Sequence, residues 1–405
     1  MQEKLALLGG TPIRTKAWPS WPVFGKEEEE AVVRVVRSGK WGKLDGEEVV
    51  RFEKRFAEYC GVKHGIACVN GTVTLRIALL AAGIQAGDEV IVPPYTFLAT
   101  ATAVVEANAV PVFVDVERET FNIDPVEIEK AITPRTRAII CVHLGGLPCD
   151  MDRIMGIARK YKLVVIEDAA HAHGSEYKGR RVGSIGDMGS FSFQSSKNLN
   201  SGEGGLLVTN DDGFGEKCRS IHNCGRITGG AWYEHHVISA NYRLGEFQGA
   251  ILNAQLDRLE EQNARRDGNG LYLDQKLSKV PGVNVQKRDG ACTRNGYHLY
   301  LFRLDREVWG VSRERVIEAL GAEGVPVSGG YVVPLYKQPL FKNRAFGPYA
   351  GAGKMEYGEL NLPNVEAICG GEGAWIYQSV LLGERGDMDD IVRGFEKVYA
   401  QRGAL

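Results

Sequence analysis

The chain has 405 residues, 44% of them hydrophobic and 25% charged, a composition that excludes disorder, a collagen repeat and a disulfide-stapled miniprotein. Lys and Arg number 49 against 51 Asp and Glu, a formal charge of −2, so there is no cationic field for a nucleic-acid backbone. At roughly 100–200 residues per domain, the length predicts two domains.

The longest uncharged apolar stretch, Ala138 to Cys149, is broken by His143, two glycines and Pro148, well short of the roughly 20 apolar residues a membrane-spanning helix needs. Met1-Gln2-Glu3-Lys4 shows neither a basic lead nor an apolar segment, so a leader peptide is not expected and a cytoplasmic location is. The eight cysteines form no CxxC pair, which argues against a zinc site and for reduced, mostly buried thiols. Glycine is the one anomaly, at 50 residues; part of it is expected where backbone approaches a ligand.

In chain order, short apolar runs alternate with helix-like segments. Gly65 to Val69 precedes a helix over Thr72 to Ala82; the strand Asp88 to Val92 precedes a helix over Ala99 to Ala107. Val110 to Asp115 is followed by a helix over Pro125 to Ile132, then a strand over Arg137 to Val142, a helix over Asp152 to Tyr161 and a strand over Leu163 to Ile166. This alternation predicts a mostly parallel sheet covered by helices on both faces, with ligands bound beyond the C-terminal strand ends. Shorter strands are expected at Gly189 to Phe193 and Gly205 to Thr209, and a long charged helix from Leu244 to about Leu277. Beyond it come a strand over Tyr297 to Leu304, helices over Arg313 to Ala322 and Asp387 to Tyr399, and irregular loops at 324–364.

Four motifs follow strands. Leu163-Val164-Val165-Ile166 ends in the acids Glu167 and Asp168; a carboxylate there is desolvated and needs a proton-bearing partner or a loop to cap. Lys197 stands among small polar residues and aromatics just before the turn Gly202-Glu203-Gly204-Gly205, where a nucleophilic amine or a solvated loop lysine could sit. Asn70-Gly71-Thr72 opens a helix and can offer backbone N–H groups to a phosphate, or simply cap the helix. Pro94-Tyr95-Thr96-Phe97 could present an aromatic face to a flat ring, or add to the core. A phosphate cradle, a stacking ring, an acid and an amine are the parts of a pyridoxal phosphate site.

With Ser192-Phe193-Gln194, His171 and Asn241-Tyr242-Arg243-Leu244 added, the chain resembles the DegT/StrS sugar aminotransferases among the fold type I pyridoxal phosphate enzymes. The resemblance implies a large, mostly parallel seven-stranded sheet domain with helices on both faces over residues 1–250, its N-terminal segment packing on the smaller domain. A bridging helix and a smaller α+β domain would fill 251–405. It implies Lys197 as the Schiff-base lysine, Asp168 at the pyridine nitrogen, Phe97 stacked on the ring and His171 beside the ring hydroxyl. Gly71, Thr72 and Ser192 would meet the phosphate, and Asn241 would reach it from the neighbouring subunit of an obligate homodimer.

Gly39 to Gly46 lacks the Thr-Gly-Pro of nucleotide-sugar members, and Tyr331-Val332-Val333-Pro334-Leu335-Tyr336 replaces their His-Tyr-Pro. Asp168 to Gly174 and His222 to Arg226 resemble instead the branch acting on free carbocyclic ketones. The expectation is a homodimeric aminotransferase moving an amino group from L-glutamine, or glutamate, to a cyclitol ketone such as scyllo-inosose or 2-deoxy-scyllo-inosose, in aminocyclitol biosynthesis. Alternatives are a nucleotide-linked keto-sugar, an aminohydroxybenzoate synthase-like dehydration and a noncatalytic sensor or assembly role.

Overall fold

The computed structural model describes residues 4–351 and 355–405. Met1, Gln2 and Glu3, on which part of the leader reading rests, and residues 352–354 of the expected loop region lie outside the described residues.

Seven strands form the larger sheet: β1 (His64–Cys68), β2 (Glu89–Val92), β3 (Val110–Phe113), β4 (Thr136–Val142), β5 (Val164–Asp168), β6 (Met188–Ser192) and β7 (Gly205–Thr209). Their order is β1-β7-β6-β5-β4-β2-β3. The pairs β2–β3, β2–β4, β4–β5 and β5–β6 are parallel, and β7 runs against both of its neighbours. Alternate residues point to opposite faces, so Ala138, Ile140 and Val142 join one apolar core while Ile139 and Cys141 join the other. Both faces are buried, which is why these strands read as unbroken apolar runs.

The helices covering them are α1 (Lys26–Ser38), α2 (Glu48–Cys60), α3 (Gly71–Ala81), α4 (Ala99–Glu106), α5 (Pro125–Ala131), α6 (Met151–Tyr161), α7 (Asp212–His222) and α8 (Glu246–Leu277). Leu75 and Ile77 of α3 and Val104 of α4 fill the first core; Phe52 and Phe56 of α2, Ile154 of α6 and Leu252 of α8 fill the second. In that second core Phe193, just past β6, meets Phe52 and Phe56 edge-on at 5.2 and 5.6 Å. Such pairs add roughly 0.5–1.5 kcal/mol each beyond area burial and anchor the start of the turn that carries Lys197.

A second, antiparallel sheet is built from β8 (Val283–Val285), β9 (Leu299–Leu304), β10 (Val327–Ser328) and β11 (Gly373–Tyr377), ordered β8-β9-β11-β10. The N-terminal segment packs on elements around this sheet: Leu5 joins its core, Ala6 N–H donates to Glu323 at 2.8 Å, and Arg14 pairs with Asp387 at 2.7 Å. All eight cysteines are free and all but Cys224 are buried. No helix among the described residues is long and apolar enough to cross a membrane.

The structure departs from the sequence reading in several places. Helices α1 and α2 were not anticipated, because charged residues crowd their exposed faces. Strand β11 follows Gly370 and Gly371 and opens on Gly373, a lead that reads as loop, yet it pairs with both β9 and β10. The strand expected from Tyr297 begins at Leu299, because Tyr297 takes φ 45°, which a strand cannot contain. Within 324–364, expected to be irregular throughout, lie strand β10 and several single helical turns. Helix α8 crosses the expected boundary at 250/251 without a break.

Candidate active site

The C-terminal ends of β5 and β6 and the start of α3 meet at a cavity of about 490 Å³. Asp168 ends β5 with its carboxylate turned into it: Oδ2 accepts the Thr100 hydroxyl at 2.8 Å and Oδ1 the Ala170 N–H at 3.2 Å. Burial raises its pKa, while Thr100, Ala170 and the positive charge of Lys197 counteract part of the rise. Glu167 points to the other face. It accepts from Gly183, Ile185 and Gly186 N–H at 2.6–2.7 Å and pairs with His143 at 2.9 Å, so of the two strand-end acids only Asp168 serves the cavity.

Lys197 stands on the turn after β6, its N–H donating to Gln194 O at 2.8 Å. Its side chain opens onto the cavity, and no hydrogen bond or ion pair holds Nζ among the described residues. The surrounding protein withholds bulk water and pushes its pKa down to about 8, with Asp168 opposing the shift. At neutral pH about one amine in ten is then uncharged and nucleophilic.

Helix α3 begins under the same wall. Asn70 caps it, Oδ1 accepting Val73 N–H at 2.9 Å, which leaves the first N–H groups, at Gly71 and Thr72, without an intrahelical partner. A Cβ at Gly71 would lie 2.8 Å from Cβ of Ser192; glycine allows the helix start to press against the end of β6. Backbone donors and the Ser192 hydroxyl thus converge where an anion can sit. The partners are within the cavity lining, which includes Gly71, Thr72 and Ser192.

Phe97 lines the mouth and is 60% exposed. Behind it Thr96 and Thr100 share a hydroxyl contact of 3.1 Å that continues to Asp168. His171 is buried and lines the cavity, and burial pushes its pKa well below the usual imidazole range. His173 of the same motif packs instead on Phe191 and Phe193, uncharged, its pKa lowered by burial to about 3. Asn241 is exposed, its Oδ1 accepting Arg243 N–H at 3.2 Å, and does not line its own chain's cavity.

The second sheet closes the far wall with Leu299, Trp375 and Tyr377, joined by His298 just before β9 and Tyr331 from the loop after β10. Tyr331 stands edge-on between Tyr95 and Trp375 at 5.4 and 5.1 Å, and the buried Trp375 indole N–H has no hydrogen-bond partner among the described residues. Sequence reasoning missed Thr100, His298 and the residues of β11. A histidine opening an apolar run at 298 was the one available signal, and it is equally that of a core histidine. Lys197 is the sole Lys or Arg among the described residues lining the cavity.

The fold is that of an aminotransferase, and the chain belongs to the DegT/DnrJ/EryC1/StrS aminotransferase family, which it matches over residues 22–380. It is 38% identical to the L-glutamine:2-deoxy-scyllo-inosose aminotransferase of Micromonospora echinospora, with 99% of each chain covered. It is 39% identical to the spore coat polysaccharide biosynthesis protein SpsC of Bacillus subtilis over 85% of this chain and 88% of that one. Among solved structures it is similar to 3-amino-5-hydroxybenzoic acid synthase, with TM-score 0.88 and 34% identity, covering 96% of this chain and 100% of the other. Pyridoxal phosphate is the cofactor this family implies.

Proposed function

We propose that the protein transfers the amino group of L-glutamine to the ketone of a free cyclitol, with pyridoxal phosphate held at the cavity. The observation that carries the reading is a half-buried amine and a buried carboxylate, Lys197 and Asp168, in one cavity whose lining among the described residues has no other Lys or Arg. A nucleotide-linked sugar brings a pyrophosphate that calls for cationic partners; a cyclitol ketone is uncharged and needs hydrogen bonds. Relatives named for scyllo-inosose substrates match the whole chain.

The residues present fit the cofactor. Lys197 Nζ would hold its aldehyde, Asp168 would face the ring nitrogen, Phe97 the ring and His171 the ring hydroxyl, with Gly71, Thr72 and Ser192 at the phosphate. When bound, pyridoxal phosphate supplies an aldehyde that condenses with amines and a pyridinium ring that withdraws electrons. Asp168 keeps a negative charge beside that nitrogen, and Thr100 holds the carboxylate in place. Lys197 Nζ, with a pKa near 8, is suited to carry the proton of the 1,3-shift between the substrate α-carbon and the cofactor carbon. The aromatic wall of Tyr331 and Trp375 keeps water from these groups.

In this reading residues 1–250 form the cofactor-binding unit and 251–405 the bridging helix and smaller unit, a division supported by the seven-stranded and four-stranded sheets falling on either side of it, with a small three-stranded sheet pairing Cys292–Arg294 to Glu176–Tyr177 across it. The working form is a homodimer in which Asn241 completes the partner's phosphate site. Supporting this, the loop before it exposes Tyr233 at 83% and Ile238 at 99%, an apolar display suited to an interface.

The test is a panel with purified holoenzyme: L-glutamine and L-glutamate as donors; scyllo-inosose, 2-deoxy-scyllo-inosose and a thymidine diphosphate keto-sugar as acceptors. Amination of a free cyclitol ketone with glutamine is expected. Turnover confined to the nucleotide sugar, or formation of an aminohydroxybenzoate instead, would overturn the reading.

A further inference from the structure

His298 lies beside His171, with ring centroids 4.3 Å apart, and the hydrogen bonds around each ring settle which nitrogen carries its proton. The Asn198 amide NH2 donates to Gly296 O at 2.6 Å, which turns its Oδ1 toward His298 Nδ1 at 3.3 Å. An amide oxygen only accepts, so Nδ1 of His298 is the protonated nitrogen and Nε2 keeps a lone pair. Burial keeps the ring uncharged. His171 has the opposite arrangement: Gly145 N–H donates to its Nδ1 at 3.4 Å, leaving the proton on Nε2. Both rings line the cavity, and neither Nε2 is hydrogen-bonded within the described residues. One donor and one acceptor therefore stand side by side on the cavity wall.

The lone pair of His298 Nε2 calls for a hydrogen-bond donor. The ionised phenolic and phosphate oxygens of the cofactor are acceptors and match the His171 N–H instead. Hydroxyl hydrogens arrive with the substrate. The placement of the ring is also built rather than incidental: Tyr297, next to it, is held at φ 45°, a left-handed conformation that a tyrosine adopts only when its surroundings impose it. Its N–H is fixed by Asn295 at 2.9 Å and its hydroxyl by Asp274 at 3.2 Å, and a Cβ at Gly270 would strike its ring at 2.4 Å.

We infer that His298 Nε2 accepts a hydrogen bond from a ring hydroxyl of the ketone substrate and so selects polyhydroxylated ketones over those lacking that hydroxyl. This rests on the cyclitol-ketone reading above.

The test compares holoenzyme of wild type, His298→Phe and His298→Gln with L-glutamine as donor. The acceptors are scyllo-inosose and its monodeoxy analogues at each ring position. The donor half-reaction alone, followed by the cofactor's absorbance, is the control. With wild type and His298→Gln, one analogue is expected to show a kcat/KM about tenfold below that of the parent ketone, mainly through KM. With His298→Phe that penalty is expected to shrink to within about twofold while the donor half-reaction is retained. Equal penalties in wild type and His298→Phe at every position overturn the inference and leave the cyclitol-ketone reading standing. Loss of the donor half-reaction in both variants also overturns it, by showing that the ring supports cofactor binding. A wild type that aminates no free polyol ketone overturns both.

Discussion

Glu167 and Asp168 are consecutive in the chain and their carboxylates stand on opposite faces of one strand. Glu167 accepts three backbone N–H groups of the 183–186 loop and pairs with His143, while Asp168 opens to the cavity with Thr100 and Ala170 as its donors. Strand alternation alone produces this split. One acid is a structural clamp and its neighbour shares the cavity with the half-buried amine of Lys197.

Glu167→Gln is expected to destabilise the fold by about 2–4 kcal/mol, since an amide cannot accept all of these hydrogen bonds and leaves His143 without its anion. Burial works against ionisation of Glu167, but His143 and the Gly183 and Gly186 N–H groups hold its pKa below the usual carboxylate range. A depressed carboxyl pKa contributes stability above the unfolded-state value and loses it as pH falls through the folded-state value. The wild type should therefore show a drop in urea midpoint below about pH 4.5 that is shallower in the variant. Identical acid limbs would refute the clamp.

Asp168→Asn should keep the fold and bind pyridoxal phosphate, with kcat reduced by roughly two to four orders of magnitude, because a neutral amide cannot keep the ring nitrogen protonated. Melting temperature and cofactor affinity are measured beside turnover. Near-normal kcat in the variant would require another group at the nitrogen.

Lys197→Ala should remain folded yet lose the visible absorbance of loaded enzyme and all turnover. Because the neutral amine is the reactive form and its pKa is near 8, the rate at which apoprotein takes up pyridoxal phosphate should rise with pH and level off above about pH 8. Stopped-flow absorbance across pH 6 to about 9.5 reads this directly. A midpoint near the ordinary lysine value of about 10.4, or a borohydride-reducible band in the alanine variant, would remove Lys197 from the role.

Asn241→Ala and Lys197→Ala subunits, each inactive as homodimers, should regain activity when mixed under conditions that exchange subunits. One site of each heterodimer then combines an intact lysine from one chain with an intact asparagine from the other. Activity near half the per-site wild-type level in the heterodimer is expected. No recovery after demonstrated exchange, or a fully active monomer in sedimentation, counts against a shared site.

The larger sheet was legible because its strands are buried on both faces and so appear as unbroken Val/Ile runs, and because each site motif directly follows such a run. Asn70-Gly71-Thr72, Asp168 and Lys197 could be placed at strand ends from local order alone. Local order could not separate Glu167 from Asp168, since which acid faces the cavity depends on where the 183–186 loop returns. Nor could it place Trp375 on β11, a strand preceded by glycines, or His298 just before β9 and Tyr331 in the loop after β10, which reach the cavity only through packing between distant segments. The sequence by itself determined the parallel sheet and the local groups at its strand ends, whose physics is contained within a few residues. The far wall, the tautomers of His171 and His298 and the lowered pKa of Lys197 were decided by tertiary structure, because desolvation and hydrogen-bond partners come from other segments of the chain, Gly145 for His171 and Asn198 for His298.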